Sequence, residues 1–176
     1  MPLRPDDIHI ESERLSIRPF SVEDADAAFR CITPSLTRFM SWDPPANREA
    51  FDRVWQRWLL TNAEGTDFTF AVRQRTNGNF LGLAGLHEAR SLSPELGIWI
   101  REDFHTQGFG REAVGLVAMW ASTGLGCESF IYPVAEDNHA SRRIAESLGG
   151  VVVERRETPK FVSVIYRIPK QSTRND

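Results

Sequence analysis

The 176-residue chain has little of what marks several large classes of protein. Its two cysteines, Cys31 and Cys127, show no CxxC spacing and are a poor basis for a disulfide framework, so we expect reduced thiols. Its four histidines are scattered and form no HExxH motif or Cys/His cluster, so no metal site is expected. No stretch approaches the roughly 20 apolar residues of a membrane span, and the start of the chain has no apolar signal segment. These absences favour a soluble cytoplasmic protein without a membrane partner.

A surplus of basic residues is also missing. Twenty-one Lys and Arg face twenty-four Asp and Glu, which gives a formal net charge of −3. Because nucleic-acid-binding proteins usually display a basic stripe, no nucleic-acid partner is expected. What the sequence does contain is typical of a folded globular protein, with 41% hydrophobic and 26% charged residues. Its length suits one substantial core, so residues 1–176 are expected to form a single domain.

Hydrophobic periodicity predicts seven strands. Phe68, Phe70 and Val72 alternate with other residues, and Asn77-Gly78 supplies a favoured hairpin turn before the returning strand. Hairpin-linked strands are antiparallel, whereas a strand–helix–strand unit implies a parallel pair. We therefore predict an α/β (α+β) fold with a single mixed, mostly antiparallel sheet flanked by four helices. The predicted strands lie near residues 14–18, 68–72, 80–86, 95–100, 130–134, 151–153 and 161–168.

Four amphipathic segments predict the helices. The first follows the N-cap Ser21, buries Val22 and is stopped by Pro34. The third and fourth follow the glycine-rich segment near residue 108 and Asn138, respectively. The second follows the N-cap Asn47 and carries one apolar face, made of Phe51, Val54, Trp55, Trp58 and Leu59.

A loop with two glycines connects the predicted strand 95–100 to the third helix. The start of a helix leaves four backbone N–H groups without intrahelical partners and carries the positive end of the helix dipole. Glycine lets a ligand approach the backbone closely, so the segment at Gly108 and Gly110 fits an anion such as a pyrophosphate. Neither the Rossmann GxGxxG pattern nor the Walker Gly-Lys-Ser/Thr pattern is present. A lone GxG also occurs in ordinary structural turns, and that alternative stays open at this point.

The segment His105-Thr106-Gln107-Gly108-Phe109-Gly110 is similar to the pyrophosphate loop Gln/Arg-x-x-Gly-x-Gly/Ala of the GNAT superfamily of acyl-CoA-dependent N-acyltransferases. His105 departs from the usual residue at the first position of that motif. Four other segments resemble the superfamily in the same order, and in particular its ribosomal-protein N-terminal (Rim-type) acetyltransferase branch. These segments are residues 13–20, 79–87 and 95–100, and the helix from Asn138 with the Leu148-Gly149 that follows it.

The resemblance implies acetyl-CoA as the cofactor and a GNAT-like sheet whose fourth and fifth strands splay apart around the pantetheine arm. The backbone of Ile98–Ile100 would pair with the pantetheine, and the amides of Gln107–Arg111 would bind the pyrophosphate. Asn138 and Ser141 would face the thiol end. The pair Arg142-Arg143 is either a solvated face or a contact to the ribose phosphate. The implied cofactor-binding residues are Ile98, Trp99, Ile100, His105, Gln107, Gly108, Phe109, Gly110, Arg111, Asn138, Ser141 and Arg143.

The reaction implied by the resemblance is direct attack of a neutral primary amine on the bound thioester. An amine arrives partly or mostly protonated, so the site needs a proton acceptor. Glu95 on the fourth predicted strand is the first candidate, with a solvated or paired edge carboxylate as the alternative. His87, at the end of the preceding strand, is the second candidate because an ordinary imidazole titrates near neutrality. A surface or structural role is the alternative for this histidine.

The leaving thiolate calls for a proton or hydrogen-bond donor. Many relatives carry a tyrosine seven residues after the Asn of the last helix, but Ala145 occupies that position here. Ser141 is the expected replacement, although its place on the first helical turn equally suits a bond to the backbone. Tyr132 on the fifth predicted strand is a third choice. The catalytic candidates are therefore Glu95, Ser141 and His87.

The acceptor is the part of the function that the sequence leaves open. Phe39 and Trp42 lie in a proline-rich loop that walls the acceptor site in similar proteins, so they are the substrate-binding candidates, whereas Trp55 and Trp58 are expected in the core. The predicted function is transfer of an acetyl group from acetyl-CoA to a primary amine of a peptide, a protein N-terminus or a small molecule. The alternative is a catalytically silent CoA-binding module with a regulatory or scaffolding role. Acyl length and oligomeric state are not determined, and a homodimer is an expectation from similar proteins.

Overall fold

Eight strands form one mixed sheet in the structure, a computed structural model that describes residues 3–173. Their bounds are β1 (Ile10–Glu11), β2 (Leu15–Pro19), β3 (Phe68–Gln74), β4 (Phe80–His87), β5 (Glu95–Ile100), β6 (Ser129–Ala135), β7 (Val151–Glu157) and β8 (Val162–Pro169). The strands lie in the order β1-β2-β3-β4-β5-β6-β8-β7. Neighbours are antiparallel except for β5 and β6, which are parallel. The predicted fold class is confirmed, but the predicted count of seven misses β1, because two residues are too few to show an alternation.

Within the described residues 3–173, five α-helices flank the sheet, one more than predicted. The additional helix is α2, which begins at Pro34; α1 ends before this proline, as predicted, and the proline also begins the next helix. A proline at the first helical position loses no intrahelical bond. Thr33 caps this helix, since its Oγ1 accepts a hydrogen bond from the Leu36 amide at 3.1 Å. The bounds are α1 (Ala25–Cys31), α2 (Pro34–Thr37), α3 (Arg48–Glu64), α4 (Phe109–Trp120) and α5 (His139–Ser147).

The predicted helix caps are present, but two predicted buried residues are exposed. Ser21 begins a 3₁₀ turn that leads into α1, and the Asn47 side chain accepts a hydrogen bond from the Ala50 amide at 2.9 Å at the start of α3. Val22 is 62% exposed because it lies in the 3₁₀ turn before α1 rather than on the inward face of the helix. Val54 is 43% exposed because it borders the cavity described below. The predicted burial of both valines is therefore wrong.

Two hydrophobic cores lie on opposite faces of the central strands. Leu83 and Trp99, which are opposite each other on β4 and β5, belong to the core that includes residues of α1 and α3. Leu86 and Leu96, another opposite pair, belong to the core that includes residues of α4. Strands covered on both faces read as nearly continuous apolar runs. With one hydrophobic core on each face, the central strands β4 and β5 are held in place, and the outer strands and loops are arranged around them.

The strands β5 and β6 lie side by side only at their starts. Within residues 3–173 their one registered pair is Glu95 with Ile131, and the Ile131 amide donates to the Pro94 carbonyl at 3.0 Å. Beyond this point β6 pairs along its length with β8, from Ser129 to Ala135. The sheet therefore opens between β5 and β6. This is the divergence that was predicted for the fourth and fifth strands.

Candidate active site

The opening between β5 and β6 is a cavity of about 740 Å³. One side is formed by β5 from Glu95 to Trp99, and the other by β6 from Tyr132 to Ala135 with the start of α5. Residues 39–45 and Phe161, near the turn between β7 and β8, close the outer side. Pockets of this size commonly hold small-molecule ligands. The divided sheet thus supplies a space that both of its halves line.

The sequence-predicted site residues fall into two groups. Ile100, Arg143 and residues 105–111 are outside the cavity lining, at the end of β5, on α5 and at the start of α4. The cavity lining includes the other predicted residues, Phe39, Trp42, His87, Glu95, Ile98, Trp99, Asn138 and Ser141.

The loop before α4 is exposed and ends in a free helix start. Gly108 has a φ of +81° and precedes the first residue of α4, so the turn uses the left-handed conformation that glycine favours. The Glu112 amide is the first in the helix to donate to a helical carbonyl, that of Gly108, at 3.1 Å. The amides of Phe109, Gly110 and Arg111 come before that bond. Because such amides point outward along the helix dipole, they form a suitable site for an anion.

Arg14 on the segment before β2 holds this loop in place. Its guanidinium donates to the Gln107 carbonyl at 2.9 Å and to the Glu112 carboxylate at 2.7 Å. It also lies over the Phe109 ring, 4.5 Å from the ring centroid. The sequence analysis did not assign Arg14 a role, although it lies in the segment 13–20 that resembles the GNAT opening strand. Its partners are more than 90 residues away in the chain, so only the fold reveals the contact.

His105 is bound to the protein itself. Its Nε2 lies 2.6 Å from the carbonyl oxygen of Ile100, the last residue of β5. The side chain that departs from the family motif therefore ties the loop to the end of the open strand. The carbonyl of Ile100, expected to pair with pantetheine, already has a partner.

A pair of hydroxyl groups, from the buried Tyr132 and the half-buried Ser141, lies at the α5 end of the cavity. The Tyr132 hydroxyl is 2.6 Å from Ser141 Oγ, and either atom can be the donor. Asn138 caps α5 by accepting a hydrogen bond from the Ser141 amide at 3.2 Å. Burial raises the pKa of Tyr132 to about 12, so its hydroxyl stays protonated at neutral pH. Tyr132, the third choice from the sequence, thus brings a phenol to the neighbourhood from which the expected helix tyrosine is missing.

Glu95 lies at the base of the opening, opposite His87 on β4. Glu95 is exposed toward the cavity, and the neighbouring strands remove only part of the water around its carboxyl. Burial raises the pKa of Glu95, and the neighbouring His87 opposes that rise. A carboxylate with a raised pKa accepts a proton more readily than a fully solvated one.

The outer side of the cavity is aromatic and is tied across by a lysine. Phe39 is half-buried and Trp42 is 39% exposed, and both face the cavity. Trp55 is buried in the core, as predicted, whereas Trp58 packs against the same core and also lines the cavity. Lys160, in the turn between β7 and β8, is another residue to which the sequence analysis assigned no role.

The Lys160 ammonium joins the turn between β7 and β8 to the segment 37–43, on the outer side of the cavity. It donates to the carbonyls of Thr37 at 2.8 Å and Trp42 at 3.2 Å. It also contacts the Asp43 carboxylate at 2.8 Å. No local pattern could predict this contact, because the partners are at least 117 residues apart.

The two arginines of α5 have different surroundings. Arg142 donates to the Tyr166 hydroxyl at 3.0 Å and to the Glu136 carbonyl at 3.1 Å, which assigns it a structural role. Arg143 is exposed, as expected of either a solvated residue or a phosphate contact. The structure does not bring Arg143 into the cavity.

Two further features of the described chain concern membranes and metals. Among residues 3–173, no helix combines the length and apolar character needed to cross a bilayer. The same part of the chain holds no group of three or more His, Cys, Asp and Glu side chains placed to bind a metal ion. Cys127 is buried, Cys31 is half-buried, and both are free thiols.

A mixed sheet that divides at one parallel strand pair, followed by an exposed glycine loop at a helix start, is the arrangement expected of an acyl-CoA-dependent N-acyltransferase fold. Residues 14–151 match the sequence profile of the family described as "Acetyltransferase (GNAT) domain". The chain belongs to this GNAT acetyltransferase family. The matched residues include β2 to β6, the loop and the start of α4, whereas β1, β8 and nearly all of β7 lie outside them.

Individual proteins resemble the chain at low sequence identity. The uncharacterized N-acetyltransferase YoaA of Bacillus subtilis (strain 168) is 24% identical over 143 residues, which are 80% of this chain and 81% of YoaA. The ribosomal-protein-S5-alanine acetyltransferase of Vibrio fischeri has a TM-score of 0.81 at 13% identity, covering 93% of this chain and 97% of its own. RimL, a ribosomal L7/L12 alpha-N-protein acetyltransferase solved in complex with coenzyme A, has a TM-score of 0.82 at 15% identity, covering 92% and 98%. The structural neighbours therefore include ribosomal-protein acetyltransferases, which share the fold.

Proposed function

We propose that the protein transfers an acetyl group from acetyl-CoA to a primary amine by direct attack in a ternary complex. The observation that carries the proposal is the position of β5 between two features. Its open edge borders the 740 Å³ cavity, and its end leads into the exposed start of α4. A molecule with a diphosphate at one end and a thioester at the other matches this arrangement of an anion site beside an elongated gap.

The residues present fit acetyl-CoA along this path. The amides of Phe109, Gly110 and Arg111 would bind the pyrophosphate, with the loop held by Arg14 and His105. The unpaired edge of β5 offers backbone hydrogen bonds to the amides of pantetheine. When bound, acetyl-CoA supplies the activated acyl group. The resemblance of the fold to the RimL complex with coenzyme A supports the choice of this ligand.

Glu95 is the proposed proton acceptor for the amine. The nitrogen forms a bond to the thioester carbonyl carbon, the carbon–sulfur bond breaks, and the nitrogen's proton goes to the Glu95 carboxylate. Restricted hydration of Glu95 supports this role, since it keeps the carboxylate basic. Its position at the point where β5 and β6 separate places it at the base of the gap.

Tyr132 and Ser141 are proposed to stabilise the leaving thiolate. A tyrosine with a pKa of about 12 is a much weaker acid than a thiol, whose ordinary pKa is about 8.5. The pair would therefore donate a hydrogen bond to the sulfur rather than give up a proton. The thiolate is a stable enough product that this is sufficient for the bond to break.

The acceptor is proposed to be a primary amine carried by an apolar neighbour. The outer side of the cavity contains Phe39 and Trp42, Trp58 also lines the cavity, and Glu95 is the carboxylate at its base. Such a wall favours an amine next to an apolar or aromatic group, either in a small molecule or at a peptide N-terminus. The names of the ribosomal-protein acetyltransferases among the structural neighbours support including N-terminal peptides.

The test is release of free thiol from acetyl-CoA across a panel of acceptors. The panel contains phenethylamine, spermidine, lysine and short peptides that begin with Ser or Ala, each peptide matched with its N-acetylated form. Turnover with a free amine, and none with the blocked peptide, is the expected result, and mass spectrometry should show the addition of one acetyl group. Tight coenzyme A binding without turnover of any acceptor would instead support the catalytically silent CoA-binding module.

A further inference from the structure

The imidazole of His87 lies in a place that Gly85 keeps open, beside a second glycine, Gly97. Gly85 on β4 is paired with Gly97 on β5, next to the pair formed by His87 and Glu95 on the same face of the sheet. A Cβ atom at Gly85 would come within 2.9 Å of His87 Nε2, and one at Gly97 within 3.9 Å. The ring therefore lies along the sheet over the two glycines. A side chain at Gly85 would displace it.

Asp67, just before β3, faces the other ring nitrogen. Its Oδ1 is 3.5 Å from His87 Nδ1, an ion-pair distance. The same oxygen accepts a hydrogen bond from the Glu88 amide at 3.1 Å, which fixes the carboxylate against the end of β4. The His87 ring is thus oriented from both sides, with Nε2 over the glycines and Nδ1 toward Asp67.

The side chains of Glu95, His87 and Asp67 form a series that extends from the cavity to bulk solvent. Glu95 and His87 both line the cavity. The His87 side chain is 48% exposed and the Asp67 side chain 36%. A proton that reached Glu95 would find the imidazole as its cross-strand neighbour and water beyond it.

We propose that His87 carries the acceptor's proton from Glu95 to solvent, with Asp67 as the positioning residue that orients and stabilises the imidazolium. This inference rests on the proposed acetyl transfer. In each turnover, the protonated Glu95 carboxyl gives its proton to His87, and the imidazolium then releases it to water. No electrons are exchanged, and Glu95 returns to the carboxylate that the next amine requires.

Restricted hydration of Glu95 explains why such a path is useful. Burial raises the pKa of this carboxyl, so it holds a proton longer than a solvated carboxyl does. A neighbouring base then speeds the return to the charged form. The other charged groups near the pair are Glu88 beside β4 and Arg156 on β7, whose effects on Glu95 oppose each other.

The experiment compares His87→Ala and Asp67→Asn with matched controls, using acetyl-CoA and the panel amine that the wild-type protein acetylates fastest. His87→Ala is expected to lower kcat by about 10-fold or more, with the KM for acetyl-CoA unchanged within about twofold. Free imidazole should restore part of the kcat of His87→Ala and leave the wild type unchanged. His9→Ala and Asp26→Asn remove a histidine and a carboxylate from exposed ion pairs elsewhere, and should keep wild-type kcat.

Asp67→Asn tests positioning through a double-variant comparison. Without the carboxylate the ring is no longer oriented from its Nδ1 side, so kcat should fall by about threefold with the KM for acetyl-CoA unchanged. Adding Asp67→Asn to His87→Ala should cost no further kcat, because Asp67 acts only through the ring, whereas a merely structural role would add its own loss. His87→Gln, which keeps the volume of the side chain, covers the case in which His87→Ala does not fold.

Two results overturn the proposal while the proposed function stands. One is wild-type kcat in His87→Ala and His87→Gln, measured in a protein that turns over. The other is a loss of kcat that imidazole does not restore and that follows a loss of thermal stability. If the wild-type protein releases no thiol with any amine, the failure lies with the proposed function instead.

Discussion

The two ends of the opening between β5 and β6 present different kinds of chemical group, backbone amides at one end and side chains at the other. The end at the start of α4 presents backbone amides, held by Arg14 and by the contact of His105 with β5. The acceptor end presents side chains brought from distant parts of the chain, including Trp42, His87 and Lys160. A backbone site recognises a constant chemical group, whereas a side-chain site changes with each substitution. We infer that the first end is common to acyl-CoA users and that the second sets the acceptor of this protein.

The largest expected effect on kcat is that of substituting Glu95, which lies between the two ends. Glu95→Gln keeps the shape of the side chain and removes its ability to accept a proton, so kcat should fall by about 100-fold or more. In the wild type, kcat/KM should decrease as the pH falls through the pKa of Glu95, which lies above that of an ordinary glutamate because burial disfavours the charged form. Steady-state rates over a range of pH check both expectations.

The variant should also lose that acidic limb, because no carboxyl is left to titrate. Glu88→Gln is the matched control, since Glu88 is a neighbouring carboxylate that the cavity lining does not include. A Glu95→Gln protein with wild-type rates would show that acetyl transfer does not need Glu95 as a proton acceptor.

Tyr132→Phe should have the next largest effect. It removes the phenol that is 2.6 Å from Ser141 Oγ, so kcat should fall by about 10-fold while the KM for acetyl-CoA changes little. The double variant with Ser141→Ala should lose less than the product of the two single losses, because both residues act through one pair. Single-turnover rates of thiol release measure the effect.

Tyr166→Phe provides the control for burial alone. Tyr166 lies opposite Tyr132 on β8 and is bonded to Arg142 and Glu146 outside the cavity lining. Its loss should reduce stability by about 1 kcal/mol and leave kcat in place. Equal losses of kcat in the two variants would mean that packing, rather than the hydroxyl near the thiolate, is responsible.

Arg14→Ala tests whether the loop before α4 contributes to coenzyme A binding independently of the acceptor end. The loop loses its contacts to Gln107 and Glu112, so the affinity for coenzyme A should fall by about fivefold through the extra disorder of the loop. Isothermal titration with coenzyme A measures this change. The KM for the acceptor amine should not move. Arg18→Ala removes an exposed arginine on β2, the strand that follows Arg14, and should leave both values unchanged.

The difference between the two ends also decides what the sequence could predict. The loop and the helix start at Asn138 follow from short motifs, and the divergence of β5 from β6 was implied by the resemblance to the GNAT superfamily, so those parts of the fold were predicted. Strand β1 was missed because its two residues are too few to show a periodicity. Asp67 and Lys160 were missed because their partners are set by tertiary packing, and neither residue belongs to a local motif.

The smallest expected effect is at the outer side of the acceptor end. Lys160→Met keeps the aliphatic chain but removes the ammonium that joins the β7–β8 turn to Thr37, Trp42 and Asp43. Because the group is partly exposed, stability should fall by less than about 1 kcal/mol. The acceptor KM should rise by about twofold as the wall loosens, and the KM for acetyl-CoA should stay constant. Lys170→Met, which removes an exposed ion pair with Glu128 outside the cavity, is the control. If Lys160→Met changed the KM for acetyl-CoA instead, the two ends would be coupled through the wall, and the acceptor could not be chosen independently of the cofactor.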